Sequence, residues 1–497
     1  MNEAFAKRWA LSRLPAFAVG VAAILVLALP QPASAESLGD ALASAYRTNP
    51  SLSAERARLR AIDEEIARAK AGGRPTISAD FNAGRTQTNL EPRSGTSAAI
   101  LGTQREGGNW PSGYSFTLSQ PLFRGLRTVN AIREAEATVK SGRENLRTAE
   151  QQVLLDATTA YVDVLRDQAI VRLRENNVRV LNEQFTATKD RFDVGEVTRT
   201  DVAQAEARRA GAVSQLNLAQ GNLKASQAIY EQVIGHPPGQ LMVPPDLNGH
   251  LPHRLNDAIA IGAAENPSIL SAKYLEEAAR YDVKQIIGET LPEVSVDVTY
   301  GMNNDPSLSL ESQEGTTVTG RLRVPLYSGG EPSARARQAR QTVLQRKLEI
   351  DQARVRTQAE VVAAWSRLAA ARAQIESDET QVNANKIALN GVREEEKVGQ
   401  RTVLDVLDAE QEFLDSQVSL VGSKRDKVVA SFTLLQAVGR LDANFLGLQV
   451  ERYDPEEHYY QVKDKLFGFG DRPSLKYKLF GGERGESEPR PSYAPAK

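Results

Sequence analysis

The chain has no cysteine in 497 residues, and only four histidines, three methionines and three tryptophans. Without cysteine no disulfide can form, and an acylated N-terminal cysteine of the bacterial lipoprotein type is not expected. An excess of one charge is missing as well. Lysine plus arginine number 61 against 63 for aspartate plus glutamate, a net charge of −2, which argues against a general nucleic-acid binder. After residue 35 no stretch approaches the roughly 18–20 apolar residues of a membrane-spanning helix. There is no phosphate-binding glycine loop and no nucleophile elbow. His236, His250, His253 and His458 all fall outside the strand and long-helix patterns below. His250-x-x-His253 lies in a proline-rich segment without obvious acid partners, so no metal, no cofactor and no enzymatic activity are expected.

What is present begins with an export signal. Lys7, Arg8 and Arg13 precede the apolar run LPAFAVGVAAILVLALP, and QPASA precedes Glu36. This is the layout of a secretory signal peptide, residues 1–35, cut after Ala35. An uncleaved membrane anchor is the alternative; the short run and the small-residue site argue against it.

The remainder is written twice. NPSLSAERARL from Asn49 returns as NPSILSAKYLE from Asn266, QPLFRG around Pro121 as VPLYSGG around Pro325, and EQVIG as LQAVG. Pro121, Gly195 and Gly235 stand 204 positions before Pro325, Gly399 and Gly439, whereas Asn49 and Pro75 stand 217 before Asn266 and Pro292. The 13-residue difference is confined between Pro75 and Pro121, as a tolerant surface loop allows. The domains read as a first repeat, 36–235, a Pro/Gly-rich linker, 236–254, and a second repeat, 255–450. A polar C-terminal extension, 451–497, ends in GGERGESEPRPSYAPAK and is expected to be partly disordered. Its YYQVKDKLFGFG stretch is a candidate to pack along the outside of the helices.

Two periodicities alternate within each repeat. Ile77, Ala79, Phe81 and Ala83 alternate with polar residues, as do Tyr114, Phe116 and Leu118, then Val294, Val296, Val298 and Tyr300, then Val318, Leu322 and Val324. These predict four strands of about ten residues with one apolar face, joined in pairs by polar loops at 87–111 and 303–315. Beyond each PLF or PLY the period becomes helical. Ala157, Val164, Val171, Val178 and Phe185 are spaced by sevens, and so are Val361, Leu368, Ile375, Val382 and Leu389, 204 positions on. Asp167, Arg174 and Asp378 interrupt the neighbouring row. The first of these helices, from Thr128 to about Phe192, would be on the order of 100 Å long, and helices near 200–234 and 402–438 return from it and from its repeat partner.

Four strands cannot close a barrel, for which about eight are needed. An exported chain with amphipathic strands of lipid length fits an outer-membrane barrel completed by several copies. Three copies give twelve strands; two or four would also close by count. The long helices have no globular core to join and must pack laterally, as a cylinder below the barrel or as an elongated coiled coil beside a small soluble sheet. A periplasmic coiled-coil adaptor and a cell-envelope hydrolase are the competing functions. The adaptor would have one helical hairpin rather than two related units, and the hydrolase lacks a catalytic constellation.

The two tandem copies, with QPLFRG, VPLYSGG, paired VG turns and RTVLDVLDAEQ, resemble the TolC family of outer-membrane channels over roughly Glu36 to Val450. The resemblance implies a mainly α fold with β: a homotrimer with a twelve-stranded outer-membrane barrel, seated in lipid, and a twelve-helix periplasmic tunnel. It also implies a passive duct that docks through a periplasmic adaptor onto an inner-membrane ABC or RND-type transporter. The cargo would be secreted protein, small toxic compounds, or both. By the same resemblance Asp405 and Asp408 match the constricting acid rings and favour cations. Thr200, Asp201 and Arg401 match links that hold the iris closed, Glu396 stands where the family often has tyrosine, and Val194-Gly195 and Val398-Gly399 match the tip turns that meet the adaptor.

Local chemistry competes with these roles. Thr198-x-x-Asp201 and Thr402-x-x-Asp405 fit helix-start capping, and both glycines fit helix ends. Asp408 lies beyond the first turn and has Gln204 as its repeat partner, so capping does not account for it.

Overall fold

The computed structural model describes residues 35–89, 106–247, 249, 251–307 and 310–470. The signal peptide up to residue 34, His250 and residues 471–497 lie outside the described residues. The order is α1 (Leu38–Thr48), α2 (Pro50–Ala71), β1 (Thr76–Ala83), β2 (Thr86–Asn89), β3 (Glu106–Asn109), β4 (Ser112–Arg124), α3 (Arg127–Asp193) and α4 (Arg199–Ile234). The second series is α5 (Leu255–Glu265), α6 (Pro267–Gly288), β5 (Glu293–Ser307), β6 (Leu310–Arg323), α7 (Glu331–Lys397) and α8 (Val403–Ala437), followed by the short α9 (Glu457–Val462). No described helix is long and apolar enough to cross a membrane.

Each repeat opens at an Asn-Pro pair. Asn49 ends α1 and caps α2, its Oδ1 accepting from the Ser51 amide at 2.9 Å, with Pro50 supplying a helical φ at the first position. Its Nδ2 donates to the Val233 carbonyl, at 3.0 Å, near the end of α4. Asn266 repeats this, accepting from Ser268 and donating to Ala437 of α8 at 3.0 Å. One side chain thus closes the start of one helix and the end of another. Around these junctions lies the main core, where Leu42, Tyr161, Tyr230, Val361, Phe432 and Leu434 are almost wholly buried. The segment after α4 packs on this core: the Tyr161 hydroxyl donates to the carbonyls of Glu36 (2.8 Å) and Met242 (2.7 Å), and Glu36 pairs with Leu241.

The sheet order is β1-β4-β5-β6, all antiparallel, so the two repeats meet at β4–β5. Register places Ile77, Leu118, Val298 and Val318 in one apolar row across all four strands. The outer edges, β1 and β6, have no further strand partner among the described residues. Two expected loops are corrected. β5 and β6 run through most of 303–315, pairing Asn303 with Gln313 and Asn304 with Ser312, and β2 pairs with β3 within 87–111. Backbone ladders continue past the apolar band, where wet side chains on both faces read as loop. The exit from β4 is abrupt. The register shifts between Pro121 and Phe123, Gly125 has φ +59°, and a Cβ there would lie 2.1 Å from the Gly288 carbonyl oxygen.

α3 and α7 each have 67 residues, in register over the 204-residue offset, and at 1.5 Å per residue each spans about 100 Å. Of the heptad row, Ala157, Val164, Val171, Val361, Leu368 and Leu389 are buried. α4 and α8 both pack on α3 and touch each other, and α7 packs on α8, so neighbours follow the order α4–α3–α8–α7. The polar interruptions are satisfied in these seams. Buried Asp378 accepts from Gln374 (2.7 Å) and Ser423, and Asp167 from Arg166 at 2.8 Å.

In the C-terminal extension, 451–470 includes the YYQVKDKLFGFG stretch expected to pack along the helices: α9 sits on α2 and α3 through Tyr459 against Ile66, Ala135 and Val139.

Replacing Asn266 by alanine removes a helix cap and leaves the Ala437 carbonyl without its donor. The expected loss is about 1–3 kcal/mol. It would be read as a lower denaturation midpoint of the purified protein, and an unchanged midpoint would refute the double role.

Candidate functional site at the helix tips

The far ends of α3 and α7 turn back through two matching corners. Gly195 (φ +84°) and Gly399 (φ +78°) adopt left-handed backbone. Their amides donate to Phe192 and Glu396, each at 2.9 Å, and the next amides reach Arg191 and Glu395. A Cβ at either glycine would meet nothing within 4 Å, so conformation rather than space calls for glycine. Val194 and Val398 project at the apex, 72% and 70% exposed.

Each corner leads into a capping box. The Asp201 carboxylate accepts from the Thr198 amide at 2.8 Å and its hydroxyl at 2.7 Å. Asp405 does the same with Thr402, at 2.8 Å for both. The Thr402 amide, then its hydroxyl, hold the Asp405 carboxyl below the usual aspartate value, with a smaller pull from Arg401.

Asp408 is not simply solvated. It forms an ion pair with Arg208, joining α8 to α4 across 200 positions of sequence. A second pair, Arg191 to Glu396 at 2.5 Å, joins the ends of α3 and α7. Arg401 bonds Glu395 within its own corner at 2.9 Å, and Arg393 pairs with Glu410 across α7 and α8. Thr200 is exposed. Among the described residues, Thr200, Asp201, Glu396 and Arg401 make no hydrogen bond with one another inside one chain. Arg208 and Arg191 escaped the sequence reading. A signal was present: over the 204-residue offset Arg208 faces Glu412 and Gln204 faces Asp408, so the charges exchange sides between repeats.

Apolar burial at this end is slight. Leu181, Ala212, Val403 and Leu407 form a small cluster joining α3, α4 and α8. Beside it a groove of about 690 Å³ runs between α4 and α8 over α3, lined by Arg174, Gln204, Arg208 and Asp415 among others. Between that cluster and the apex, the ion pairs are the main ties across the hairpins.

Paired repeats, a half-closed sheet and long return helices are shared with known proteins. The sequence model of the outer membrane efflux protein family matches residues 41–236 and 261–440. The chain belongs to that family. It is 40% identical over 440 residues to outer membrane efflux protein BepC of Brucella suis, covering 88% of this chain and 93% of that one. It is 27% identical to alkaline protease secretion protein AprF of Pseudomonas aeruginosa, over 75% of this chain and 78% of that one. The Campylobacter jejuni CmeC outer membrane channel superposes with a TM-score of 0.73 at 15% identity, covering 86% and 89% of the two chains. The protein is thus an outer-membrane channel protein of TolC-like fold, mainly α with β, and not an enzyme. The adaptor and hydrolase alternatives fall with that assignment.

The lowered Asp405 value has a definite sign. A carboxyl whose folded value lies below its ordinary 3.8 stabilises the fold above that pH, and the contribution is lost as pH falls through the lowered value. Hydrogen-exchange protection of the first turn of α8 should therefore hold from neutral pH to below 3.8 and then fall. In Thr402→Val, which keeps the amide and removes the hydroxyl, the titration of Asp405 should move up toward its ordinary value; an unmoved titration would show that the hydroxyl is not a cause.

Proposed function

We propose that three copies assemble into a twelve-stranded barrel continued by a twelve-helix tunnel, forming the passive exit duct of a tripartite export system. One observation carries this reading: both the sheet and the helix layer are left open at their margins. Among the described residues β1 and β6 have no further strand partner, while α4 exposes Val213, Leu218 and Ile229 and α7 exposes Leu348, Val355 and Val362. A lone chain in lipid would leave two strand edges with unmet backbone groups, each costing several kcal/mol. Closure by identical copies removes both edges and covers both helix faces.

The tips are then the natural gate. Their few apolar contacts and partly exposed ion pairs, each worth about 0–1 kcal/mol, give a region that can rearrange while the main core stays fixed. Asp405 and Asp408 line the narrow end as a cation-favouring ring, and Arg208 offsets Asp408. Arg191–Glu396 and Arg208–Asp408 serve with Thr200, Asp201 and Arg401 as latch contacts. Val194-Gly195 and Val398-Gly399 meet a periplasmic adaptor, which connects the duct to an inner-membrane ABC or RND-type transporter. Secreted protein is the favoured cargo, supported by the relative named for alkaline protease secretion. Small toxic compounds are the second, supported by the relative named for efflux.

In planar-bilayer recordings, Asp405→Ala with Asp408→Ala should reduce cation selectivity and block by multivalent cations. Arg208→Ala should do the opposite, because it uncovers Asp408. Unchanged selectivity in both would remove these residues from the conducting path.

Cargo is tested in cells. Deletion should empty the medium of particular secreted proteins, raise sensitivity to drugs and bile salts, or do both. A strain unaltered in secretion and sensitivity would overturn the export reading.

A further inference from the structure

The ordered C-terminal segment forms a strap with an unusual end. It is tied along α2 and α3 by Arg143 to Glu456 at 2.9 Å, His458 Nδ1 to the buried Asp63 carboxylate at 3.2 Å, and Lys70 to Asp464 at 2.7 Å. The last tie is the Arg74 guanidinium, which donates to the Lys465 carbonyl at 2.6 Å. Immediately beyond, Leu466, Phe467 and Phe469 stand 71%, 75% and 112% exposed. Three large apolar side chains within four residues are costly to leave in water.

Their location says what covers them. Arg74 is two residues before β1 begins and three before Ile77, the first member of the apolar row that crosses the sheet. At about 3.3 Å per residue, that row begins about 10 Å from Arg74. The strap therefore ends at the level where the sheet becomes apolar on one face. Its chemistry suits a lipid surface: aromatic and aliphatic tips next to Lys463 and Lys465, the first of which lies over the Tyr460 ring at 4.3 Å. The same Lys-x-Lys-Leu-Phe-Gly pattern at 463–468 is written again at 476–481.

We propose that Lys463–Phe469 is an interfacial membrane anchor. Leu466, Phe467 and Phe469 enter the hydrocarbon boundary of the phospholipid leaflet nearest the tunnel, with the lysines among the headgroups. The segment braces the junction of helices and strands against the bilayer, in a chain whose sequence has no cysteine to carry an acyl anchor. The proposal rests on the reading that the strands line the membrane.

The absence of cysteine also supplies the test. Phe467→Cys and Phe469→Cys in the full-length protein each carry a single nitroxide label. The protein is reconstituted in vesicles of phosphatidylethanolamine and phosphatidylglycerol, with Ile77→Cys as the lipid reference and the exposed Lys189→Cys near the tips as the water reference. The expected result is a ratio of oxygen to nickel-complex accessibility at 467 and 469 that matches Ile77 and exceeds Lys189 several-fold. Values like Lys189, with Ile77 still lipid-like, would overturn the anchor while leaving the barrel intact. A label shielded from both reagents would also overturn it, by placing the segment against protein. If Ile77 itself is water-like, the anchor falls together with the membrane reading of the strands.

Discussion

An antiparallel sheet of four strands cannot satisfy its own edges, and every larger feature of this protein is arranged around that deficit. Among the described residues β1 and β6 each leave one edge without a strand partner, a condition that lipid does not tolerate. The helices have the matching deficit. A helix of 67 residues with a narrow buried row can be covered only from the side, and α4 and α7 each keep one face open. In the assembly we propose, both incomplete layers are completed by one operation: repetition of the chain about an axis.

The repeat explains why so much of this was legible in sequence. Strand alternation, heptad spacing, capping boxes and αL glycines are local patterns, and each occurs twice in register, so a weak signal in one half is checked by the other. α3 and α7 start and end at positions related by the same 204-residue offset. What stayed hidden was either long-range or polar. The Arg208–Asp408 pair spans 200 positions and needs the lateral order of four helices to be known first. The strand ends at 303–315 carry asparagine, glutamine and serine, which pair through backbone and so show no alternation.

Energetics divide the molecule into a fixed part and a yielding part. The main core surrounds the Asn-Pro junctions, where tyrosines, leucines and phenylalanine are sealed and both caps are made by buried amides. Toward the tips the apolar content shrinks to Leu181, Ala212, Val403 and Leu407. Exposed ion pairs contribute little to stability but resist motion in a direction-specific way, since each breaks only when its two helices separate. Arg191–Glu396 opposes parting of α3 from α7, and Arg208–Asp408 opposes parting of α4 from α8. Ties of this kind suit the gate proposed at the tips, which would open without unfolding.

The two aspartates of RTVLDVLD therefore do different work although they share a helix face. Asp405 is committed to its own backbone: both contacts are to Thr402, its repeat partner Asp201 makes the same contacts, and losing it would unravel a helix start before it changed any field. Asp408 makes no such local contact. Its partner lies on another helix, and its counterpart in the first repeat is a glutamine four residues before Arg208 itself. A carboxylate that can exchange an arginine for an aqueous opening changes the charge of that opening when the helices move. In the gate we propose, conduction and latching are coupled through one residue, because the geometry that frees Asp408 from Arg208 is the geometry that separates α4 from α8.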